Sequence, residues 1–304
     1  MEEISIEETR NWLELPQDVM SQIFLKLDMV EILHSVQNVC TLWRIISKDP
    51  LLYRSIDLRN QWDVFDSDEN DMERMSKEGV ERSCGQLVEF SMEHFGTEEL
   101  LHFMANRSTN LRCLRLAYCY HISDEALMAV TKQLPLLEEV ELCHCSFSPA
   151  ALETFGRFCP HLKSFRVDHQ GIRCPLLDCD DEAFAIAKSM PQLRHLHLFG
   201  NKMTDNGLRA ILDGCPHLES LDLRQCFSVY MGGDLEKKCK DRIKKLKLPN
   251  GPTEDYEFVA ELDDFESFDA DYPSGVSEID FISEDEYIEF SESSYFSDMD
   301  DFHF

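Results

Sequence analysis

The side chains in this sequence whose types and spacing could do chemistry are cysteines and histidines. Cys143, His144 and Cys145 are consecutive, and thiolate and imidazole groups are the usual ligands of zinc. A zinc site needs a second pair of ligands at a suitable spacing, and no such pair accompanies this triplet. His195 and His197 stand two apart, as side chains on one face of a strand do, which is typical of solvated surface histidines. We therefore expect no bound metal and no cofactor.

The signatures of an enzyme are also missing from the sequence. It contains no nucleophile elbow, no phosphate-binding loop and no carboxylate pair in a suitable fold context. Cys174 and Cys179 lie close together in the chain, but no neighbouring residue supports a redox reaction. We expect no catalytic residues, so the sequence indicates a protein that acts by binding.

The charge of the chain limits its partners and its location. The formal net charge is −30, and 19 of the 59 acidic residues lie between Glu254 and Asp301, where no Lys or Arg occurs. Phosphate backbones and anionic membranes attract basic proteins, so we expect neither nucleic acid nor a membrane as partner. The first residues lack the features of a secretory signal, and the twelve cysteines indicate buried thiols. These features predict an intracellular protein of the nucleus, the cytoplasm or both.

An internal repeat positions most of the chain. The pattern apolar-x-x-apolar-x-apolar occurs seven times, with starts separated by 24, 26, 25, 31, 25 and 25 residues. The copies begin at Leu87, Leu111, Leu137, Leu162, Leu193, Leu218 and Ile243, and a weaker copy begins at Tyr53. Each copy starts as a strand with alternating inward side chains and continues as a helix. Since neither element can bury its apolar face alone, this period predicts a solenoid of stacked repeats.

The residues between the copies indicate one helix per repeat. Ser123, Ser148 and Thr204 are suited to cap helix N-termini, and Pro149 suits a first helical position. Prolines that end the preceding helices stand before four of the strands, at Pro135, Pro160, Pro191 and Pro216. The fold class is therefore α/β, with a parallel sheet on the concave side of the solenoid.

A small polar residue stands three positions after the last apolar residue of several strands. These residues are Cys119, Cys145, Asn201 and Cys226, and further cysteines mark helix ends at Cys159, Cys215 and Cys239. Together with the period, they resemble the cysteine-containing leucine-rich repeats of F-box proteins, most closely those of plants. The resemblance covers residues 85 to 248, roughly half of the chain.

Residues 12–53 contain three short apolar segments with helical spacing. Pro16 can open the first helix, Asp28 can cap the second, and Pro50 ends the third. About forty residues have too little interior to bury so many apolar side chains. We therefore expect some of them to contact a partner.

The order of residues in this segment is similar to the F-box motif. It runs Leu15-Pro16, Ile23, Leu27, Leu33, Val36, Val39-Cys40 and Trp43-Arg44. In that family the motif docks onto a Skp-type adaptor, which links it to a cullin and a RING protein. The resemblance implies nine adaptor-binding residues, namely Leu15, Pro16, Ile23, Leu27, Val36, Val39, Cys40, Trp43 and Leu52. The alternative, that such residues only form the core of the module, stays open.

The sheet should present one row of outward side chains from successive strands. The row is Ser91, Arg115, Glu141, Arg166, His197, Asp222 and Lys247. Because adjacent strands lie about 4.8 Å apart, opposite charges in the row can pair laterally and satisfy one another. The alternative is a surface that binds a target. Its candidate residues are Arg115, Glu141, Arg166, His197 and Asp222, with Ile172 and Arg173 in the loop of the longest repeat.

The sequence divides into four parts. They are an F-box module at 12–53, a connecting segment with the weak first repeat at 54–84, the leucine-rich repeats at 85–250 and a tail at 251–304. The tail alternates acids with aromatic residues, a composition that predicts disorder. Lys237 to Lys247 form a dense basic cluster nearby, so the tail could loosely cap this end of the solenoid or serve only solubility.

The two resemblances together imply a substrate-recognition subunit of an SCF-type E3 ubiquitin ligase. Such a receptor is not catalytic, because it only holds a protein target close to a conjugating enzyme. The alternative is a non-catalytic interaction scaffold that binds the adaptor without ubiquitin transfer.

Overall fold

The computed structural model describes residues 12–59, 69–169 and 178–258, with only the backbone at 13, 69 and 70. Across these ranges, an N-terminal group of short helices is followed by strands and helices in strict alternation. The eight strands form one parallel sheet in which each strand pairs with its neighbours in chain order. No helix within these ranges is long and apolar enough to cross a membrane.

The N-terminal module contains the three predicted α-helices. They are α1 (Gln17–Phe24), α2 (Met29–His34) and α3 (Thr41–Ile46), with short 3-10 helices at Trp12–Glu14, Val36–Asn38 and Pro50–Tyr53. Pro16 precedes α1, and the Asp28 carboxylate accepts the backbone N–H of Glu31 at 2.7 Å, as a capping residue does. The predicted helix starts are therefore confirmed at both positions.

The strands of the solenoid coincide with the predicted repeat copies. They are β1 (Ser55–Leu58), β2 (Glu89–Glu93), β3 (Cys113–Ala117), β4 (Glu139–Cys143), β5 (Ser164–Asp168), β6 (His195–His197), β7 (Ser220–Asp222) and β8 (Lys245–Lys247). Ile56, Phe90 and Leu114 stand in register on the first three strands. The weak first copy is therefore a true repeat of the sheet.

One helix follows each of the first seven strands. These helices are α4 (Glu69–Arg82), α5 (Glu98–Arg107), α6 (Asp124–Thr131), α7 (Pro149–Phe158), α8 (Asp181–Ser189), α9 (Asp205–Gly214) and α10 (Asp234–Arg242). Ser123, Ser148 and Thr204 accept backbone N–H groups at the starts of α6, α7 and α9. These side chains begin the helices where the sequence predicted.

The cysteines at the turns and helix ends of the repeats are buried, and several of their thiols bond backbone carbonyls, whereas Cys84 and Cys179 are exposed. The Cys226 thiol donates to the Leu198 carbonyl at 2.8 Å, and the Cys145 thiol donates to the Leu116 carbonyl at 3.6 Å, each reaching the preceding repeat. Burial raises the pKa of Cys159 to about 12 and that of Cys215 to about 11. The thiols therefore stay protonated and connect successive repeats as small polar core residues.

Helix α4 joins the N-terminal module to the solenoid. At Gly79, a Cβ atom would clash with the Met29 side chain, so glycine leaves room for Met29 where α4 approaches α2. Arg82 donates to the hydroxyl of the buried Tyr53 at 2.9 Å, and Tyr53 donates to the Ser47 carbonyl at 2.6 Å. Both parts contribute to one hydrophobic core, so the module is held rigidly on the first repeat.

Candidate functional site

The N-terminal module carries most of the exposed large apolar side chains. Among the described residues ten such side chains are exposed, and six of them lie in this module at 40 to 64% exposure. We call these six the exposed apolar residues: Trp12, Val19, Leu25, Val39, Ile45 and Leu51. Since a soluble surface rarely concentrates apolar groups in so small a region, they indicate a protein interface.

The predicted adaptor contacts occupy three kinds of position. Val39 and Pro16 are exposed, whereas Leu15, Ile23, Leu27 and Trp43 are half-buried against the core. Cys40 caps α3, because its sulfur accepts the Trp43 backbone N–H at 3.5 Å. Val36 and Leu52 are only 6% and 7% exposed. These two residues lie beneath the surface and offer a partner little area, so their direct contact with an adaptor stays a prediction.

Five of the exposed apolar residues are not among the nine predicted adaptor contacts: Trp12, Val19, Leu25, Ile45 and Leu51. The signal for three of them lies in the apolar pairs Phe24-Leu25, Ile45-Ile46 and Leu51-Leu52. Adjacent residues of a helix point to different sides, so a short helix that packs one face on the core can leave one member of such a pair exposed. Phe24, Ile46 and Leu52 are the buried members.

The concave sheet carries the predicted row of charges in register, and the charges pair laterally. The Arg115 guanidinium lies 3.1 Å from Glu141, which also lies 3.6 Å from Arg166. Asp222 lies 3.8 Å from His197 and 3.7 Å from Lys247 on the two adjacent strands. Burial raises the pKa of Glu141. The reading of a self-satisfied ladder describes this row well.

A second row of residues just before the strands is also paired, but in solvent. Glu138 lies between Arg112 and Lys163, with the Lys163 ammonium at 2.6 Å. Glu219 likewise bridges Arg194 at 2.6 Å and Lys244 at 2.9 Å. Exposed pairs of this kind contribute little stability, because water and salt screen them.

Three aromatic rings form a stack beside the charged row. The rings of His94, Tyr118 and His144 stack with centroids 4.6 and 4.7 Å apart and planes within 4° of parallel. We call these three residues the aromatic ladder. Each has a positive φ, between 52° and 66°, where a non-glycine side chain is strained. Sequence reasoning missed this ladder, although each member stands two residues after the last apolar residue of its strand.

The first tail residues lie on the concave face, with two aromatic side chains inserted there. The Tyr256 ring is parallel to that of Phe199, with centroids 3.7 Å apart. Its hydroxyl donates to Asp168 at 3.2 Å and lies 3.2 Å from Nε2 of His144. The Phe258 ring meets His144 edge-on at 5.4 Å, next to the aromatic ladder.

The acidic residues of the same segment meet cations of the sheet. Asp255 lies 2.5 Å from Lys247 and also pairs with Arg224, and the hydrogen bond from Lys247 lowers the pKa of Asp255 to about 2. Glu257 lies 3.3 Å from Arg166 and 3.8 Å from Arg59. Residues 255–258, which we call the docked segment, thus alternate between ion pairs and ring contacts.

The placement of residues 251–258 bears on one of the two alternatives for the tail, a loose association with the basic cluster from Lys237 to Lys247. Within the described ranges, Lys247 is the one residue of that cluster that forms an ion pair with residues 251–258. The other cations that contact the segment come from the concave face, where rings are also available. The rest of the tail, 259–304, lies outside the described residues.

Two other candidates from the sequence have separate outcomes. Ile172 and Arg173 lie outside the described residues, so their contact with a target stays a prediction. In the triplet at 143–145, the Cys143 thiol donates to Asp168 at 3.7 Å, His144 belongs to the ladder and Cys145 faces the core. Within the described ranges, no three His, Cys, Asp or Glu side chains are arranged to hold a metal ion.

A rigid helical module with exposed apolar residues, fixed to a strand-and-helix solenoid, defines a two-surface binding protein. Three family models match the chain: F-box-like at residues 12–59, Leucine Rich repeat at 107–130, and the leucine-rich repeats of the FBD-associated F-box protein At5g56370 at 173–232. The matches coincide with the module and with two parts of the solenoid.

Curated relatives from Arabidopsis thaliana extend the similarity over the chain. The F-box protein SKIP19 is 42% identical, covering 99% of this chain and 97% of that protein. Putative F-box/LRR-repeat protein 22 is 45% identical, covering 83% of this chain and 81% of that protein. The solved complex of Rad7 and Elc1 in yeast is more distant, with a TM-score of 0.39, 18% identity, and 77% of this chain and 67% of that chain covered.

The chain therefore belongs to the F-box/LRR-repeat proteins. Members of this family are generally non-catalytic receptors, and their F-box binds a Skp-type adaptor. The family assignment agrees with the predicted class of the protein and with the expected α/β solenoid.

Proposed function

We propose that this chain is the substrate-recognition subunit of an SCF-type E3 ubiquitin ligase in the nucleus or the cytoplasm. The F-box module binds a Skp-type adaptor and through it a cullin and a RING protein, while the repeats bind a protein target. The observation that carries the proposal is that one rigid core holds two separate surfaces. One is the module with its exposed apolar residues, and the other is the concave face, which accommodates a peptide segment.

The mechanism that these features support is proximity. The close approach of α4 to α2 at Gly79 and the hydrogen bonds from Arg82 to Tyr53 fix the module on the first repeat. A rigid connection keeps a bound target at one distance from the conjugating enzyme, which raises the effective concentration of its lysines there. No chemical group of this chain takes part in ubiquitin transfer.

Reconstitution tests this proposal directly. The full chain, with the proteins that copurify with it from plant tissue, is combined with purified adaptor, cullin, RING protein, conjugating enzyme and ubiquitin. We expect at least one copurified protein to acquire ubiquitin, and we expect a Leu15→Ala, Pro16→Ala variant to assemble poorly and transfer none. The variant should still bind the same proteins, because both substitutions lie outside the repeats.

Two outcomes would contradict the proposal. Assembly with the adaptor and cullin but no ubiquitin on any bound protein would favour the interaction scaffold. Undiminished adaptor binding by the double variant would show that Leu15 and Pro16 are not contacts, and the surface would then have to be sought among the other exposed apolar residues.

A further inference from the structure

The docked segment meets a place on the concave face that is built for an aromatic ring. Phe199 is only 2% exposed, and one face of its ring is covered by Tyr256. Asp168 is fully buried, and its Oδ2 accepts hydrogen bonds from Tyr256 at 3.2 Å and from Arg166 at 2.6 Å. Its other oxygen, Oδ1, has no hydrogen-bond partner among the described residues. A buried carboxylate aimed at this position is costly unless polar groups reach it.

The cations around this place pair with acidic residues of the sheet and can also pair with a bound segment. Arg224 and Lys247 both satisfy Asp222 on their own side and still pair with Asp255. The Arg166 guanidinium lies 5.7 Å from the centre of the Tyr256 ring and 5.6 Å from that of Phe258, a distance typical of cation–π contacts. The face therefore attracts carboxylates and rings together.

We infer that the concave face is a binding site for an acidic-aromatic peptide of the form Asp-Tyr-Glu-Phe, that residues 255–258 fill it in the free chain, and that a target carries the same chemistry and displaces them. This inference rests on the proposed function and deepens it, because it names the class of target segment. The occupant in the structure defines the class: an acid, a ring, an acid and a second ring in succession.

The short connection to the solenoid explains why the chain fills its own site. Strand β8 ends at Lys247, only eight residues before Asp255. A short flexible linker gives an effective concentration on the order of millimolar, so a weak segment stays bound when it is attached. A target peptide must bind more tightly, or act at high local concentration, to replace it. The docked segment thereby selects against weak ligands.

A labelled peptide with the sequence of residues 252–260 tests the inference. Its affinity is measured by fluorescence anisotropy for the full chain and for the full-length Tyr256→Ala, Phe258→Ala variant, after both are shown to unfold cooperatively at similar temperatures. We expect the variant to bind the peptide at least about tenfold more tightly, because its own segment no longer competes. Equal affinity, or no binding to either chain, would overturn the inference.

Two further arms separate this site from a nonspecific association. A peptide in which both rings are replaced by alanine should bind at least about tenfold more weakly, whereas equal binding would reveal a charge-only attraction and overturn the acidic-aromatic assignment. Adding His144→Ala or Lys247→Glu to the variant should weaken its affinity for the peptide severalfold. Unchanged affinity in both would place the peptide elsewhere on the chain.

The source of the segment and the proposed function are tested independently. Sedimentation at the assay concentration should show a monomer. A dimer that the labelled peptide dissociates would mean that the site binds the tail of a second copy, and it would overturn the assignment to a target. The Tyr256→Ala, Phe258→Ala variant should bind the adaptor as the unsubstituted chain does. If the peptide fails to bind while ligase assembly succeeds, the inference falls and the proposed function stands.

Discussion

The F-box module and the concave face of the repeats differ in whether the chain covers its own binding surface. On the module, six large apolar side chains remain in solvent, and nothing in the described chain covers them. On the concave face, charges pair across neighbouring strands and the docked segment covers the rings beside them. The first surface is therefore open to a partner, whereas the second is covered by the chain itself.

Different forces will therefore govern the two interactions. Burial of an exposed Val or Ile side chain contributes about 1.5 to 3 kcal/mol, and that gain is available at once on the module. On the concave face, a ligand exchanges existing ion pairs and ring contacts for similar ones, so the net gain is small and selectivity comes from matching the pattern.

The largest effect should come from the core that holds both surfaces in place. Leu196 is fully buried on β6, so Leu196→Asp places a charge there without a partner and should cost several kcal/mol, enough to unfold the repeats. His195→Asp on the exposed side of the same strand is the matched control and should leave cooperative unfolding intact. Thermal unfolding followed by circular dichroism measures both. A cooperative transition in Leu196→Asp near that of the control would contradict the assigned core.

A change of the module surface should remove adaptor binding and nothing else. Val39→Asp with Ile45→Asp puts charges on two of the most exposed apolar residues and should weaken adaptor binding at least about a hundredfold, equivalent to about 2.7 kcal/mol. Phe184→Asp makes the same kind of change at an exposed residue of α8 and is the control. Calorimetric titration with the adaptor gives the affinities. If both variants bind the adaptor equally well, the module surface is not the interface.

The outcomes show which features local patterns can predict. The sequence predicted three features of the repeats: the leucines, the helix-capping residues and the cysteines after the strands. Each of them depends on a few neighbouring residues and recurs with one period. The aromatic ladder recurs with the same period, but its residues lie on turns after the strands, outside the apolar pattern that predicted the repeats. Helix geometry places the two members of each apolar pair on different sides, but only the structure identifies which member is exposed.

The docked segment could not be predicted from local patterns. Tyr256 contacts Asp168 across 88 residues and His144 across 112 residues, so no spacing in the sequence connects them. Composition favoured disorder for the tail, and charge favoured the basic cluster near Lys240. The rings account for the position, because the concave face offers stacking partners and cations together, whereas α10 offers cations but no aromatic ring.

The lateral charge ladder should contribute a moderate amount of stability. Arg115 pairs with Glu139 and Glu141 while largely shielded from water, so Arg115→Met deprives Glu139 of its cation and leaves Glu141 with Arg166 alone, which should cost about 1 to 2 kcal/mol. Arg112→Met removes a cation from a pair that is open to solvent and should cost under about 0.5 kcal/mol. Urea unfolding of the two variants compares them directly. Equal losses would mean that the ladder is no better shielded than the outer row.

The smallest effect is a pH dependence of the docked segment, carried by His144. Burial beneath Tyr256 and Phe258 lowers the pKa of His144 below its ordinary 6.5, with Arg166 and His169 adding to this shift and Asp168 opposing it. Release of the segment exposes the imidazole and returns its pKa toward the ordinary value, so the open form binds the proton better. Docking is therefore strongest above about pH 6.5 and weakens as the pH falls below that value.

The other groups at the site do not reverse this direction. Asp255, with its pKa lowered to about 2, stays charged, and burial raises the pKa of Tyr256, which stays neutral. Burial also lowers the pKa of His197, which lies 3.8 Å from Asp222. We therefore expect peptide binding to the Tyr256→Ala, Phe258→Ala variant to weaken as the pH falls from 7.5 to 5.5. Adding His144→Gln should flatten this dependence; if it persists unchanged, the proton is taken up at His197 or elsewhere, and His144 is only a stacking partner.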